Sequence, residues 1–223
     1  MDATTRRTVS MGLGVSLAVS MYGVSFGALS VASGLDVWQT QVLSLLMFSG
    51  GSQFAVIGLV AAGASGFSAI ASAALLGVRN TLYAVTIAPT VGGGFWRRIV
   101  AGHWTIDEST AVSIAQDDVR HKRLGFWITG AGIFVGWNLM TFVGAILGDA
   151  LGDVRAYGLD AAAAAAFLGL LWPRLSGRDP IAIAVVAAVV TAWALPSLPP
   201  GVPVLVAAAV GLVAGLWLKR GRP

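Results

Sequence analysis

The sequence predicts an all-α integral membrane protein, a polytopic bundle of about seven or eight hydrophobic segments. Three observations carry that reading. Of 223 residues, 57% are hydrophobic and 11% are charged, whereas a soluble domain carries about a quarter charged residues. No charge falls between Asp36 and Arg79, between Arg79 and Arg97, or between Asp179 and Lys219. Each interval is long enough for one crossing, which takes about 20 apolar residues. The apolar runs are also continuous, which favours helices over a barrel of alternating strands of roughly ten residues.

The first segment, 9–33, follows Arg6-Arg7. Its basic flank resembles that of a signal peptide, but its apolar core is too long for one, so it is expected to be the first membrane helix. Ser33 to Asp36 end it. The second segment, 42–62, is interrupted by Ser49-Gly50-Gly51-Ser52 and closed by Ala62 to Gly66. The third, 67–90, carries Arg79 and ends at Gly92-Gly93-Gly94. The fourth, 99–116, contains Asp107-Glu108-Ser109-Thr110. A polar run from Gln116 to Arg123 precedes the fifth, 124–148. Segments 158–173, 180–195 and 202–218 complete the chain, parted by Ser176 to Pro180 and by Pro196 to Pro203. No linker divides two domains, so residues 1–223 are expected to form one transmembrane domain.

Lys and Arg accumulate in cytoplasmic loops. Arg6-Arg7, Arg120 to Arg123, Arg174 with Arg178, and Lys219 with Arg220 and Arg222 are therefore expected on the cytoplasmic side of the cell's inner membrane. Both termini would then be cytoplasmic, with Asp36, Asp149 and Asp153 outside. Arg97-Arg98 do not fit, because eight complete crossings place them outside. Broken or re-entrant second and fourth segments would resolve the conflict.

The net charge of +4 does not indicate nucleic acid, since the basic residues occur in short groups rather than along one face. The absence of cysteine excludes disulfides and thiolate chemistry. His103 and Asp107 are too few ligands for a zinc site, so no metal or cofactor is expected. Trp38, Trp96, Trp104 and Trp217 read as interfacial anchors.

Gly23-Val24-Ser25-Phe26-Gly27 matches the nucleophile-elbow pattern, but no strand precedes it. The same glycines form G-x-x-x-G, as do Gly132 with Gly136, Gly144 with Gly148, and Gly211 with Gly215, a spacing that lets helix backbones approach closely in lipid.

Adjacent glycines flanked by hydroxyls at Ser49 to Ser52 invite unwinding, which at membrane depth is tolerated only beside protein or a wet cavity. Transporters aim such interruptions at substrate charges; a packing kink is the alternative. Arg79, followed by Asn80, lies mid-segment, where an arginine costs roughly 2.5 to 17 kcal/mol depending on method. It therefore needs a partner, and Asp107 and Glu108 are the natural candidates. Such an ion pair is either a functional site or purely structural. Asn138, beside Trp137, either contacts substrate or bonds a neighbouring helix.

These elements resemble those of a known family. Tyr22-Gly23-Val24-Ser25-Phe26-Gly27-Ala28 is similar to the first-helix signature of AzlC-type large subunits of branched-chain amino acid exporters. Phe48-Ser49-Gly50-Gly51-Ser52-Gln53-Phe54 resembles their Gly-Ser-Gln-Phe element, Val78 to Tyr83 their Asn-Leu-Arg-His-x-x-Tyr element, and Thr105 to Ser109 their Asp-Glu element. Asn80 replaces the family's usual histidine, and Met21-Tyr22 replace a proline and an aromatic residue.

The resemblance implies export of leucine, isoleucine, valine or a similar apolar amino acid such as methionine, together with a small AzlD-type membrane subunit. With no nucleotide motif in the chain, an ion or substrate gradient is the expected energy source. Candidate substrate-binding residues are Ser49, Gly50, Gly51, Ser52, Gln53, Arg79, Asn80, Trp137 and Asn138, with Asp107 and Glu108 for proton or ion coupling. Gly23, Gly27, Gly132 and Gly136 are expected to pack helices. Phe26, Phe54 and Trp137 would supply an apolar wall. A membrane-embedded hydrolase using Ser25 or the Asp107-Glu108 pair, and a non-transporting scaffold, are the other readings.

Overall fold

The computed structural model describes residues 1–152, 168–169, 171–172, 175–199 and 202–220. The expected segment 158–173 lies largely outside them, as do Asp153 and Arg174. The helices are α1 (Ala3–Ala32), α2 (Val37–Leu46), α3 (Gly50–Ala61), α4 (Gly66–Val91), α5 (Phe95–His103), α6 (Asp107–Ile114), α7 (Val119–Leu151), α8 (Arg178–Ala194) and α9 (Val202–Arg220). Among the described residues α1, α4 and α7 are long and apolar enough to cross a membrane.

The backbone of the bundle is the α1–α7 pair, its most extensive helix contact. Thr5 meets His121, Ser16 lies against Gly132, Ser20 against Gly136 and Ala28 against Gly148. The numbers rise together, so the two helices are parallel. Their main chains touch: a Cβ on Gly23 would sit 2.8 Å from the Trp137 carbonyl oxygen, and one on Gly27 would sit 2.6 Å from the Ala145 nitrogen. In lipid the hydrophobic effect does not join helices, so close van der Waals packing of small residues must. At Gly211 and Gly215 no other described helix comes within 4 Å of a built Cβ, so among the described residues that spacing brings no second backbone close.

The second expected segment, 42–62, is a hairpin rather than one crossing. Thr40 bonds Ser30, Trp38 packs on Phe142, Gln41 reaches Asn138 and Phe48 meets Phe134. Thus α2 descends antiparallel to α7 from the Asp36 end to mid-depth. There the chain reverses. Phe54 packs on Phe26, and Ser52 bonds the Ala73 carbonyl beside the first half of α4, so α3 climbs back to the end it came from. With 10 and 12 residues, the two helices are about 15 and 18 Å long, each roughly half a bilayer core.

The fourth segment, 99–116, is likewise a hairpin, entering from the opposite end. Arg123 Nε donates to the Thr90 carbonyl (3.0 Å), which sets the end of α4 level with the start of α7. From there α5 rises: Arg97 lies over the Trp127 ring, and His103 reaches Phe134. Then α6 returns, with Ser113 bonded to the Lys122 carbonyl and Gln116 to Thr8.

Arg97 and Arg98 therefore share an end with Arg6, Arg7 and the Arg120 to Arg123 cluster, and the charge conflict of eight full crossings disappears. A crossing helix followed by a half-depth hairpin occurs twice in opposite orientation, as α1 with α2–α3 and α4 with α5–α6. This is the pattern of an inverted repeat.

The hairpin tips meet inside the bundle. Around them lies one apolar cluster containing Phe26, Phe48, Phe54, Ile57, Ile106, Ile133 and Trp137; a second, with Ile87, Val91, Ala101 and Phe126, fills the basic end. Trp104 is not an interfacial anchor: it packs at the tip of α5 against Gly130, Trp127 and Phe134. Trp38, Trp96 and Trp217 are exposed near helix ends.

Candidate functional site

At the first tip α2 ends at Leu46, Ser49 is extended, and α3 begins at Gly50. A reversal strands the last carbonyls of one helix and the first N–H groups of the next. Gln53, with no exposure to solvent, answers the carbonyls: its amide nitrogen donates to Met47 (2.6 Å) and Ser44 (3.3 Å). Its amide oxygen accepts from Trp137 Nε1 (2.9 Å). The N–H groups of α3 receive no such partner from its cap. Ser49 makes no side-chain cap bond; its hydroxyl donates to Ser52, which donates onward to the Ala73 carbonyl. The first turn of α3, Gly50-Gly51, lines the cavity with the positive end of its helix dipole.

At the second tip the Ile106 N–H donates to Ser109 Oγ (3.1 Å), and that hydroxyl donates to the Trp104 carbonyl (2.8 Å). Asp107 and Glu108 occupy the first turn of α6, where a carboxylate is favoured by the dipole. His103 Nε2 lies 3.0 Å from the Leu45 carbonyl oxygen and joins the two tips. Among the described residues no group of three or more His, Cys, Asp or Glu side chains is placed to hold a metal ion.

Halfway along α4, Arg79 pairs with Asp107 (2.9 Å between Nη1 and Oδ2), the side chains being 26% and 13% exposed. Arg79 Nε and Asn80 Oδ1 are buried with no hydrogen-bond partner among the described residues.

These groups surround a cavity of about 230 Å³. Ser49, Gly50, Gly51, Arg79, Asn80, Asp107 and Glu108 form its polar side. Val19, Tyr22, Phe48, Phe54, Ile106, Ile133 and Trp137 form its apolar side, with Gly169 also on the wall.

Three expected ligands lie elsewhere. Ser52 is bonded to the Ala73 carbonyl of α4, and Gln53 to the Met47 and Ser44 carbonyls of the hairpin and to Trp137 of α7. Asn138 donates to the Phe134 carbonyl (2.7 Å) and accepts from Gln41 (3.5 Å), which makes it a helix-to-helix bond. Phe26 sits behind the wall, stacked on Trp137. Ser25 lies inside α1 rather than on a strand-to-helix turn.

Sequence reasoning missed Val19, Tyr22, Phe48, Ile106 and Ile133 as lining residues. Phe48 and Ile106 had a usable signal, since both lie within two residues of a first helical turn at an interruption; the others are ordinary apolar positions.

Residues 14–151 match the family described as AzlC protein. Two Helicobacter pylori proteins, each described as an uncharacterized membrane protein, are similar. One, from strain ATCC 700392 / 26695, is 29% identical over 100 residues, 45% of this chain and 44% of the relative. The other, from strain J99 / ATCC 700824, is 30% identical over 105 residues, 47% of this chain and 44% of the relative. The matches thus span a little under half of each relative's length. No solved structure matches. The family match runs from α1 through both hairpins to the end of α7 and so takes in every lining residue except Gly169; the chain belongs to the AzlC family of membrane proteins.

Proposed function

We propose that the chain is the permease subunit of a secondary transporter that exports leucine, isoleucine, valine or a similarly apolar amino acid, working with a small AzlD-type membrane subunit. The observation that carries the reading is the division of one mid-depth cavity into an electropositive edge, an acidic edge and an apolar wall. A zwitterionic amino acid with a branched side chain has those three parts.

In this reading the substrate carboxylate lies at the start of α3, near Arg79. The ammonium lies at Asp107 or Glu108, one of which also serves as the proton- or ion-coupling group. The side chain lies along Phe54, Ile133 and Trp137, where each buried CH₂ contributes about 0.8 kcal/mol. Discrimination among leucine, isoleucine and valine is therefore weak. The chain performs no covalent chemistry and needs no cofactor.

The two hairpins enter from opposite faces and meet at the site, so movement of either one exposes the cavity to its own side. That is the requirement of alternating access. The basic end faces the cytoplasm of an inner-membrane protein, as the excess of Lys and Arg there favours.

The test is leucine efflux from preloaded cells carrying the chain and its small partner. Arg79→Ala and Glu108→Gln are each expected to abolish efflux while leaving the protein in the membrane. Wild-type efflux from both variants would remove the site.

A further inference from the structure

We infer that Gln53 is a positioning residue which, by fixing the Trp137 indole, sets the longest apolar side chain that the cavity accepts. The inference rests on the amino acid reading of the cavity and adds the determinant of its size. Gln53 is fully buried and does not line the cavity, yet its amide bonds three groups at once. The nitrogen holds the Met47 and Ser44 carbonyls at the end of α2, and the oxygen holds the Trp137 N–H of α7. An indole has a single donor and no acceptor, so this one bond fixes the rotation of the ring.

The ring is also sandwiched. It is stacked on Phe26 at 6.0 Å between centroids and 27° between planes, and it meets Phe54 edge-on at 6.4 Å and 85°. Its far edge lies over the start of α3: a Cβ on Gly50 would be 3.4 Å from Trp137 Cη2. The indole thus extends from the hairpin tip to the apolar wall and closes the space open to a side chain.

Side chains at 53 separate the two duties of the amide. Gln53→Glu keeps an acceptor for the indole and loses the paired donors to α2. It is expected to lower thermal stability while preserving the wild-type ratio of phenylalanine to leucine efflux. Gln53→Met loses the acceptor as well and is expected to raise that ratio several-fold. Trp137→Phe, with a smaller ring, is expected to raise it further.

Position is read separately. In ¹⁵N-tryptophan-labelled protein in micelles, the Trp137 indole N–H resonance, assigned by its loss in Trp137→Phe, is expected to exchange slowly in wild type and Gln53→Glu. In Gln53→Met it is expected to shift and exchange fast.

An unmoved Trp137 resonance in Gln53→Met overturns the positioning role. An unchanged ratio in Gln53→Met, with both substrates slowed alike, overturns the size limit and leaves Gln53 a structural residue. Absence of any amino acid efflux by the wild-type chain with its small partner overturns the amino acid reading itself.

Discussion

The two hairpins share one geometry and carry opposite chemistry. Each descends to mid-depth, breaks for three residues and sends a helix back with its N-terminus at the cavity. The α2–α3 hairpin presents Gly50 and Gly51 there and leaves the positive helix end uncovered. The α5–α6 hairpin presents Asp107 and Glu108 and covers the same kind of end with two carboxylates. The moorings differ too. Neutral bonds tie the first hairpin to the bundle: Ser30 to Thr40, Gln41 to Asn138, and Ser44 to Thr141. At the other end α6 is also tied by neutral bonds, Ser113 to Lys122 and Thr8 to Gln116, but ionisable groups join in: Arg97 lies on Trp127, Arg123 links α7 to Thr90 of α4, and His121 closes the α7 cap with Asp118. Repetition of the backbone therefore supplies a symmetric frame, and side chains at four positions give it a polarity that suits a dipolar solute.

The sharpest way to break the comparison is to ask whether the hairpins enter from opposite faces. The chain has no cysteine, so single cysteines report cleanly. Ala62→Cys, in the exposed loop after α3, is expected to react fully with an impermeant maleimide applied outside intact cells. Gly94→Cys, in the exposed loop before α5, is expected to react only after the membrane is opened. Eight complete crossings require the reverse for both.

Charge removal at the acidic tip should produce the next largest effect. Arg79→Ala removes the guanidinium that pairs with Asp107 at 2.9 Å, the side chains being 26% and 13% exposed; breaking a fully buried pair costs about 3–5 kcal/mol, which sets the upper bound here. A marked fall in melting temperature in detergent is expected. Arg79→Ala combined with Asp107→Ala is expected to recover most of the stability and none of the transport. Recovery of both would show that the pair only braces α4 against α6.

How much of this was legible in the sequence follows from what each signal encodes. An isolated arginine in a long apolar run demands a carboxylate on energetic grounds, so the Arg79–Asp107 pair was readable. The small-residue spacing of Gly23 with Gly27 and of Gly132 with Gly136 was readable for the same kind of reason, because close helix approach excludes larger side chains. Hydropathy does not distinguish a crossing from a reversal, so the hairpins were signalled only by the polar interruptions at Ser49 to Ser52 and Asp107 to Thr110 and by Arg97-Arg98 falling on the wrong side. Gln53 and Asn138 show where reading stopped. A polar side chain within an apolar run has an unmet bond to make, but the sequence does not say whether a solute or a stranded carbonyl will meet it. For Gln53 the stranded carbonyls of α2 met it; for Asn138 a carbonyl one turn back in α7 and the Gln41 side chain did.

At the glycine tip the expected effect is smaller and purely functional. A Cβ on Gly50 meets only the edge of Trp137, at an ordinary 3.4 Å, so Gly50→Ala should fold normally. It crowds the N–H groups offered to a carboxylate and should cost about 1 kcal/mol, the worth of one typical hydrogen bond. That corresponds to roughly fivefold in apparent affinity, read as a higher leucine concentration for half-maximal efflux. A larger loss at Gly50 than at Arg79 would reverse the ranking of the two tips.

The smallest effect distinguishes the moorings. Asp118 caps α7 through the His121 N–H, and its carboxylate also bonds His121 Nδ1 (2.6 Å). Those bonds, the side-chain one first, hold the Asp118 pKa below its ordinary 3.8. A carboxyl whose folded pKa is depressed contributes stability that is fully present above the unfolded value and is lost as pH falls through the folded one. The melting temperature of wild type should therefore exceed that of Asp118→Asn at neutral pH, and the difference should shrink as pH drops below about 4. The corresponding difference for Thr40→Val, which removes a neutral bond between α2 and α1, should stay constant over the same range. Parallel pH dependence in the two variants would mean that the ionisable mooring at the basic end contributes nothing of its own.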